Sequence, residues 1–449
     1  DVIHGQVQFQ NPSSDAMRII QNSQSAIVNW QSFDIGYGAL VDIIQPNINA
    51  AMLSRVVGSN LSEIHGSLNA NGHLYLINPN GILFGSDAQI DVYALIASSL
   101  DIADSAFLSG NLSFNGDSEA SVMNLGSIKA DEFAALIGGE VDNSGSILSD
   151  GGSVGLLAGN TTFEVGIASG GTISLDISGL LEGSAIQDGL IDVSSSDGEG
   201  GKVLVNADQE VIASSSSLTL ANGGSVGSGG EIIFFSENSA SWKPNSIIMA
   251  EGGIDGGDGG FVELSGLVDV QLSGSHVSTT ASNGKTGDFL IDPVDITISS
   301  SSTSNLSLNG STYDSSATTT ILNVDDLVTA LASNNITVTT VNDSYDAPNG
   351  GDLTVATSIT SSSGNDLTLI ASDQLTSSYG ANISLTGNLN LTAGPGGIQT
   401  IGNIDVGSNT ITSNSGGSAI YVGDVTAGNL SLTTTETGSI IQSTKFNGG

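Results

Sequence analysis

Gly200-Gly201-Lys202-Val203-Leu204-Val205, Gly229-Gly230-Glu231-Ile232-Ile233-Phe234 and Gly259-Gly260-Phe261-Val262-Glu263-Leu264 are three versions of one phrase, spaced 29 and 30 residues apart. A fourth, Thr286-Gly287-Asp288-Phe289-Leu290, follows at similar spacing. Each opens on a glycine turn and runs into a strand with apolar residues at alternate positions. A second strand, such as Glu210-Val211-Ile212-Ala213, and a turn of small residues complete the unit. A fixed period of this kind marks a solenoid, in which stacked coils bury one shared core. Alternate side chains point inward, the others face water, and each strand pairs with its counterpart one coil away at about 4.8 Å. Glycine and asparagine are expected at corners that need positive φ. The predicted fold is therefore all-β, a right-handed single-stranded parallel β-helix; a sandwich or barrel would not need the same turn chemistry at a nearly fixed step.

Weaker copies lie on both sides of these phrases. Asn124-Leu125-Gly126-Ser127-Ile128 and Asn143-Ser144-Gly145-Ser146-Ile147 lie 19 residues apart, as do Gly151-Gly152-Ser153-Val154 and Gly170-Gly171-Thr172-Ile173. Toward the C-terminus come Asp352-Leu353-Thr354-Val355, Asp366-Leu367-Thr368-Leu369, Asn382-Ile383-Ser384-Leu385 and Asn388-Leu389-Asn390-Leu391, short strands each opened by Asn or Asp. One stretch breaks the pattern: Asn323 is placed to cap a short helix near 324–332, with Asp325-Asp326 in its first turn and Leu327, Val328 and Leu331 on one face. The Ser/Thr-rich segment Ser299–Ser307 reads as a loop, so a boundary is placed near residue 300. A solenoid also needs covered ends; the less repetitive first 60 residues, with Phe9, Trp30 and Phe33, are the candidate N-terminal cap.

Composition narrows the function. The 449 residues include 60 Gly, 12% charged residues and 5% aromatics, yet 38% are hydrophobic, which argues against both a disordered linker and an ordinary globular enzyme. Seven Lys and Arg face 46 Asp and Glu, a net charge of −39. No basic stripe exists for phosphate contacts, so nucleic acid is excluded as a partner, and an anionic membrane would repel the chain. The same charge keeps copies apart, and a monomer is expected. There is no Cys, so packing rather than disulfides must stabilise the fold. No apolar run approaches the roughly 20 residues of a membrane span. His4, His65, His73 and His276 make no ligand spacing, and neither a metal nor a cofactor is expected. Asp255-Gly256-Gly257-Asp258-Gly259-Gly260 is read as turn glycines rather than a calcium β-roll, because the nonapeptide repeat is missing. Parallel β-helices also host polysaccharide lyases and hydrolases, which makes such an enzyme the alternative reading. Their sites need clustered acids with a nearby base, whereas Arg18 and Arg55 fall in the cap and Lys129, Lys202, Lys243, Lys285 and Lys445 are scattered. No catalytic residue is assigned.

The most specific motif is Asn78-Pro79-Asn80-Gly81, between the apolar Leu74-Tyr75-Leu76-Ile77 and Ile82-Leu83-Phe84-Gly85. Taken alone it is a tight turn: Pro fixes φ and Asn-Gly tolerates positive φ. With its surroundings it resembles the signature of the filamentous haemagglutinins and high-molecular-weight adhesins, exoproteins of bacterial two-partner secretion. Val28-Asn29-Trp30-Gln31-Ser32-Phe33-Asp34-Ile35-Gly36, Ile64-His65-Gly66-Ser67-Leu68 with Asn71-Gly72, and Phe289-Leu290-Ile291-Asp292-Pro293 through Ile298 are similar to further stretches of that family. Gln45-Pro46-Asn47 stands where many members carry a second motif that begins with Asn.

The resemblance implies the following expectations. Residues 1–60 cap a secretion domain, 61–298 form its β-helix and repeats, and 299–449 are further β-rich repeats of an exoprotein that continues past Gly449. An outer-membrane β-barrel transporter with periplasmic recognition domains receives the chain and passes it to the surface of a Gram-negative cell, where a host glycan or surface receptor is a further partner. Asn78, Pro79, Asn80, Gly81, Gln45, Pro46 and Asn47 form the recognition motif, with Trp30 and Phe33 as cap residues. For Asn78–Gly81 two roles stay open, shaping the turn or touching the transporter. The β-helix itself would serve as an adhesive stalk, with long loops such as Thr340–Gly350 as places for a ligand.

Overall fold

The computed structural model describes residues 1–159, 162–167, 173–178, 183–302, 319–340, 351–399, 401–416, 420–434, 440–442 and 446–448. It resolves into two compact units, Asp1–Phe234 and Phe235–Gly449.

The first unit begins antiparallel. Val7–Ser13 pairs with Ala16–Gln21 as a hairpin, and Val2–His4 pairs with Ser25–Trp30. From there the pairing is parallel. Ala16–Gln21 lies beside Leu40–Ile44, which lies beside Ser67–Ile77, and the ladder continues through Gln89–Ser98 and Ser127–Gly138. Parallel in-register stacking sets like residues over like: Leu68, Ile90, Ile128, Ile147 and Ile191 are successive partners, all buried. A second wall runs from Ile82–Phe84 through Ser121–Asn124, Glu140–Asn143 and Ser184–Gln187 to Glu210–Ala213. It carries a buried amide ladder, in which Asn124 Nδ2 donates to Asn143 Oδ1 at 2.8 Å and Asn143 Nδ2 to Gln187 Oε1 at 2.7 Å. These amides satisfy one another where no water reaches. The expected parallel β-helix is present.

The reason for the repeated glycines differs from the expected one. None of Gly200, Gly201, Gly230, Gly259 or Gly287 has positive φ. They are glycines because adjacent coils touch backbone to backbone at that corner: a Cβ on Gly201 would overlap the Gly152 carbonyl oxygen, and one on Gly230 the Gly201 oxygen. Those same oxygens accept the next coil's amides, Gly152 O from Lys202 N at 2.9 Å and Gly201 O from Glu231 N at 3.0 Å.

Part of this unit leaves the helix. Asp101–Ile102, Ser113–Asn115, Thr162–Ile167 and Ile173–Ser178 form an antiparallel sheet, with a short helix, Asp104–Ser109, between the first two. The 19-residue step from Gly151 to Gly170 is therefore not a coil. Ser153–Ala158 pairs with Lys202–Ala207, and Ile173–Ser178 turns back on Thr162–Ile167; Gly170-Gly171-Thr172 lies outside the described residues. Phe107, Leu112 and Phe114 from this element pack with Tyr75, Ile96, Phe133, Ile137 and Leu157 of the coils. That cover explains why the ends of Gln89–Ser98 and Ser127–Gly138 are buried on both faces and read as unbroken apolar runs.

In the second unit Phe261–Gly266, Asp288–Asp292, Asn335–Thr339, Leu367–Ala371, Leu389–Ala393, Thr410–Ser415 and Asn429–Thr434 stack in parallel. Val262, Phe289, Ile336, Leu367, Leu389 and Ile411 share one buried ladder, and Trp242 stacks on Phe289 at 5.4 Å. The expected helix is Val324–Leu331, its Asn323 Oδ1 accepting from Asp325 N at 2.7 Å and Asp326 N at 3.3 Å. Leu327, Ala330 and Leu331 are buried while Val328 is only half-buried. Most of the expected loops, residues 303–307 and 341–350, lies outside the described residues.

Candidate functional site

Asn78 closes the long strand Ser67–Ile77, and its side chain is fully buried. Every polar atom of that side chain is used. Nδ2 donates to Asn60 O at 2.9 Å and Ser62 Oγ at 3.0 Å, and Oδ1 accepts from Asn80 N at 3.0 Å and Asn80 Nδ2 at 2.9 Å. Asn80 Nδ2 also donates to Gly58 O at 3.0 Å. Gly81, at φ +101°, donates to Asn78 O at 2.9 Å and closes the turn. A Cβ there would sit 2.8 Å from Ser121 O, so glycine is required twice over. Only Pro79 is exposed, its carbonyl taken by Ser118 Oγ at 2.7 Å. Both asparagines thus work inward, tying the turn to the loop 57–61 one coil below. That loop holds Val57 and Leu61, which are 49% and 36% exposed.

Gln45-Pro46-Asn47 is built on the same plan. Gln45 is buried, and its Nε2 donates to Ala50 O at 2.9 Å and more weakly to Gln21 Oε1 and His73 O at 3.3 Å. Its backbone exchanges two bonds with the Asn71 amide, at 2.7 and 3.0 Å. Gly72 must lack a side chain, since a Cβ would fall 2.6 Å from Ala50 O and 2.7 Å from Gln45 Oε1. Position 45 therefore faces the interior, and glutamine in place of the family's asparagine changes a strut, not the outer surface. Asn47 Oδ1 accepts from Asn49 N at 3.0 Å, which folds Pro46–Asn49 into an exposed loop carrying Ile48, with Ile44 beside it.

Trp30 and Phe33, expected to serve as cap residues, form an edge-to-face chain with Phe9: Phe9 to Trp30 at 5.6 Å and Trp30 to Phe33 at 5.4 Å. Phe33 is buried and Phe9 half exposed. Nearby, Tyr37 stacks on His65 at 4.4 Å and stands 70% exposed. Of fifteen exposed large hydrophobic residues among those described, eight fall within residues 1–61, which makes this end the apolar part of an acidic surface. The strand Val7–Ser13 is also exposed, and among the described residues its partner is Ala16–Gln21 alone.

Motif reading missed Arg55. It donates to Asp101 Oδ1 at 2.8 Å, Asp104 Oδ1 at 2.7 Å and Ile102 O at 2.5 Å, clamping the extra element to the coil. The two carboxylates hold its guanidinium above its ordinary pKa despite the opposing effect of burial, which is the largest contribution. His73 lies 3.3 Å from Glu132 and against Tyr93 and Phe133. Burial lowers its pKa and outweighs the attraction of Glu132, so the imidazole is neutral at neutral pH. Asp258, from the Asp-Gly run, accepts from Lys285 N at 2.8 Å as a turn residue.

Comparison with known proteins agrees with this architecture. Residues 3–255 match the family model of the TPS secretion domain. A heme/hemopexin-binding protein of Haemophilus influenzae is 36% identical over 185 residues, 38% of this chain and 19% of that protein. A second heme/hemopexin-binding protein of that species is 42% identical over 100 residues, 22% of this chain and 11% of that protein. The matches thus span about a fifth or less of those relatives. The crystal structure of the HMW1 secretion domain from Haemophilus influenzae superposes with a TM-score of 0.53 over 84% of this chain and 96% of that one, at 24% identity, a likeness of fold. With the secretion-domain match covering more than half of its length, the chain belongs to the two-partner secretion exoproteins, exported through the periplasm to the surface of Gram-negative bacteria.

Proposed function

We propose that the outer-membrane transporter's periplasmic domains recognise the chain through the apolar surface of residues 1–61, and that Asn78, Asn80, Gln45 and Asn47 act by holding that surface in place. The observation that carries this reading is that each motif turn buries or binds its amides while propping up exposed aliphatics: Val57 and Leu61 beside Asn78–Gly81, Ile44 and Ile48 beside Gln45–Asn47. Pro79, Pro46 and Asn47 are the motif residues left outside for direct contact. The strand Val7–Ser13 offers backbone groups to which a partner strand can add. The test is export of the triple variant Ile48→Asp, Val57→Asp, Leu61→Asp by cells that carry the partner barrel. Lost secretion with an unchanged melting curve supports the reading; secretion at the parental level refutes it.

Residues 299–449 serve as further β-rich repeats of an adhesive stalk, and the chain acts as a monomer without enzymatic activity; the scattered bases and the charge of −39 support the last two statements. Binding of haem or hemopexin is named for relatives of which only 19% and 11% align with this chain, which leaves most of each relative without a counterpart in it. A host surface receptor is engaged outside the transporter-facing end.

A further inference from the structure

We propose that the second unit carries a binding site for a neutral sugar, in the groove between Tyr379 and Tyr421. The groove encloses about 490 Å³ and is lined by these two rings with Asn382, Asn403, Gly402 and Gly423. Tyr379, at the tip of the turn Ser378–Ala381, is fully exposed, and Tyr421 is 42% exposed. Two uncovered aromatic faces flanking one cleft suit the apolar C–H face of a pyranose, which stacks on a π-system while its hydroxyls turn to polar neighbours.

The coil stacking supplies those neighbours. Asn382 Oδ1 accepts from Asn403 N at 2.9 Å, and Asn403 Oδ1 accepts from Asp424 N at 2.9 Å. Each amide oxygen is committed to the next coil, which fixes the plane of the amide and leaves its NH2 group as the donor for a hydroxyl. The floor is bare because it must be: a Cβ on Gly423 would meet Asn403 Oδ1 at 2.6 Å, and one on Gly402 would overlap the Ala381 oxygen. Charge chooses the sugar class. None of the described residues lining the groove is cationic, and the chain as a whole carries a net charge of −39. A sialic acid, uronic acid or sulfated sugar would be repelled, whereas a neutral oligosaccharide loses nothing.

The test uses the full 449-residue chain on immobilised neutral oligosaccharides of glucose, galactose and mannose, beside sialylated and sulfated counterparts. Retention of a neutral oligosaccharide is expected, with roughly tenfold weaker affinity for Tyr379→Ala and again for Tyr421→Ala. Tyr379→Phe, which keeps the ring, should bind as the parent does. Because Tyr379 is fully exposed, its loss leaves the fold and secretion through the barrel unchanged, so failure here is separable from failure of the export reading. Retention of no neutral sugar, equal retention by the double alanine variant, or preference for the acidic sugars would each overturn the proposal.

Discussion

Gly230→Ala tests the physical basis of the repeat. A Cβ at that position would lie 2.6 Å from the Gly200 carbonyl carbon and 2.7 Å from its oxygen, and closer still to Gly201 O, where ordinary contact begins near 3.4 Å. All three atoms are backbone, so no rotamer relieves the clash, and the approach to Gly201 O obliges the coils to part by more than about 1 Å. Overpacking of this kind costs about 1–3 kcal/mol. Stretching the Glu231 N to Gly201 O bond, 3.0 Å in the parent, adds roughly 0.5–1.5 kcal/mol. The expected loss is therefore about 1.5–4.5 kcal/mol, read as a roughly 13- to 2000-fold fall in amide-exchange protection for Lys202–Ala207 and Glu231. Gly36→Ala is the control. Its Cβ would meet nothing within 4 Å and its φ is not positive, so the substitution should be neutral or stabilising by up to about 1 kcal/mol. Protection in Gly230→Ala within about 0.5 kcal/mol of the parent, or equal damage from Gly36→Ala, would refute the claim that close approach of coils, rather than turn chemistry, dictates these glycines.

Three further outcomes are expected. Asn78→Ala leaves Asn60 O, Ser62 Oγ and Asn80 N without their buried partner and should cost about 2–3 kcal/mol in denaturant unfolding; Pro79→Ala, on the exposed side of the turn, should cost under about 1 kcal/mol. Arg55→Ala frees Asp101, Asp104 and Ile102 O; a loss of about 1–3 kcal/mol is expected, with new protease cleavage at Asp104–Ser109 while the coils stay intact. His73 has a lowered pKa in the folded chain, so the unfolded chain binds its proton first. Stability is full above pH 6.5, falls as pH drops through that value toward the folded pKa, and does so by at most about 1.4 kcal/mol per pH unit. His73→Gln should flatten that part of the profile measured by urea titration.

What the sequence disclosed and what it hid follow from locality. The strands and their step were legible because each coil repeats one alternating phrase, and the helix Val324–Leu331 because Asn323 and the acids of its first turn are local signals. The helix Asp104–Ser109 was not, since its N-cap is Ala103 with no side-chain bond and it spans six residues. The antiparallel pair Thr162–Ile167 and Ile173–Ser178 reads as a coil because period-two alternation is the same for a hairpin and for a solenoid strand. A clue was present in the unbroken apolar ends of Gln89–Ser98 and Ser127–Gly138, which demand a second cover. At the two motif turns the residues were found, but not the direction of their side chains. A four-residue string cannot say whether Asn78 faces a partner or the coil below.

The first coils bear on how such a chain can fold at all. A parallel coil gains its hydrogen bonds only from a neighbour one turn away, so an isolated coil has no partner and the first must be templated by something else. Here Val7–Ser13 and Ala16–Gln21 supply each other through a two-residue turn, a contact of low sequence separation and so of low loop-closure cost. Ala16–Gln21 then presents its other edge to Leu40–Ile44, and Ser25–Trp30 to Ala51–Val56, so one antiparallel seed starts the parallel stack. The amide struts at Gln45 and Asn78 act in these same early coils, joining residues 16 to 28 apart that the ladder alone would leave free to slip. On this view the motif matters because it sets the register of the first turns of the helix, on which every later coil is laid.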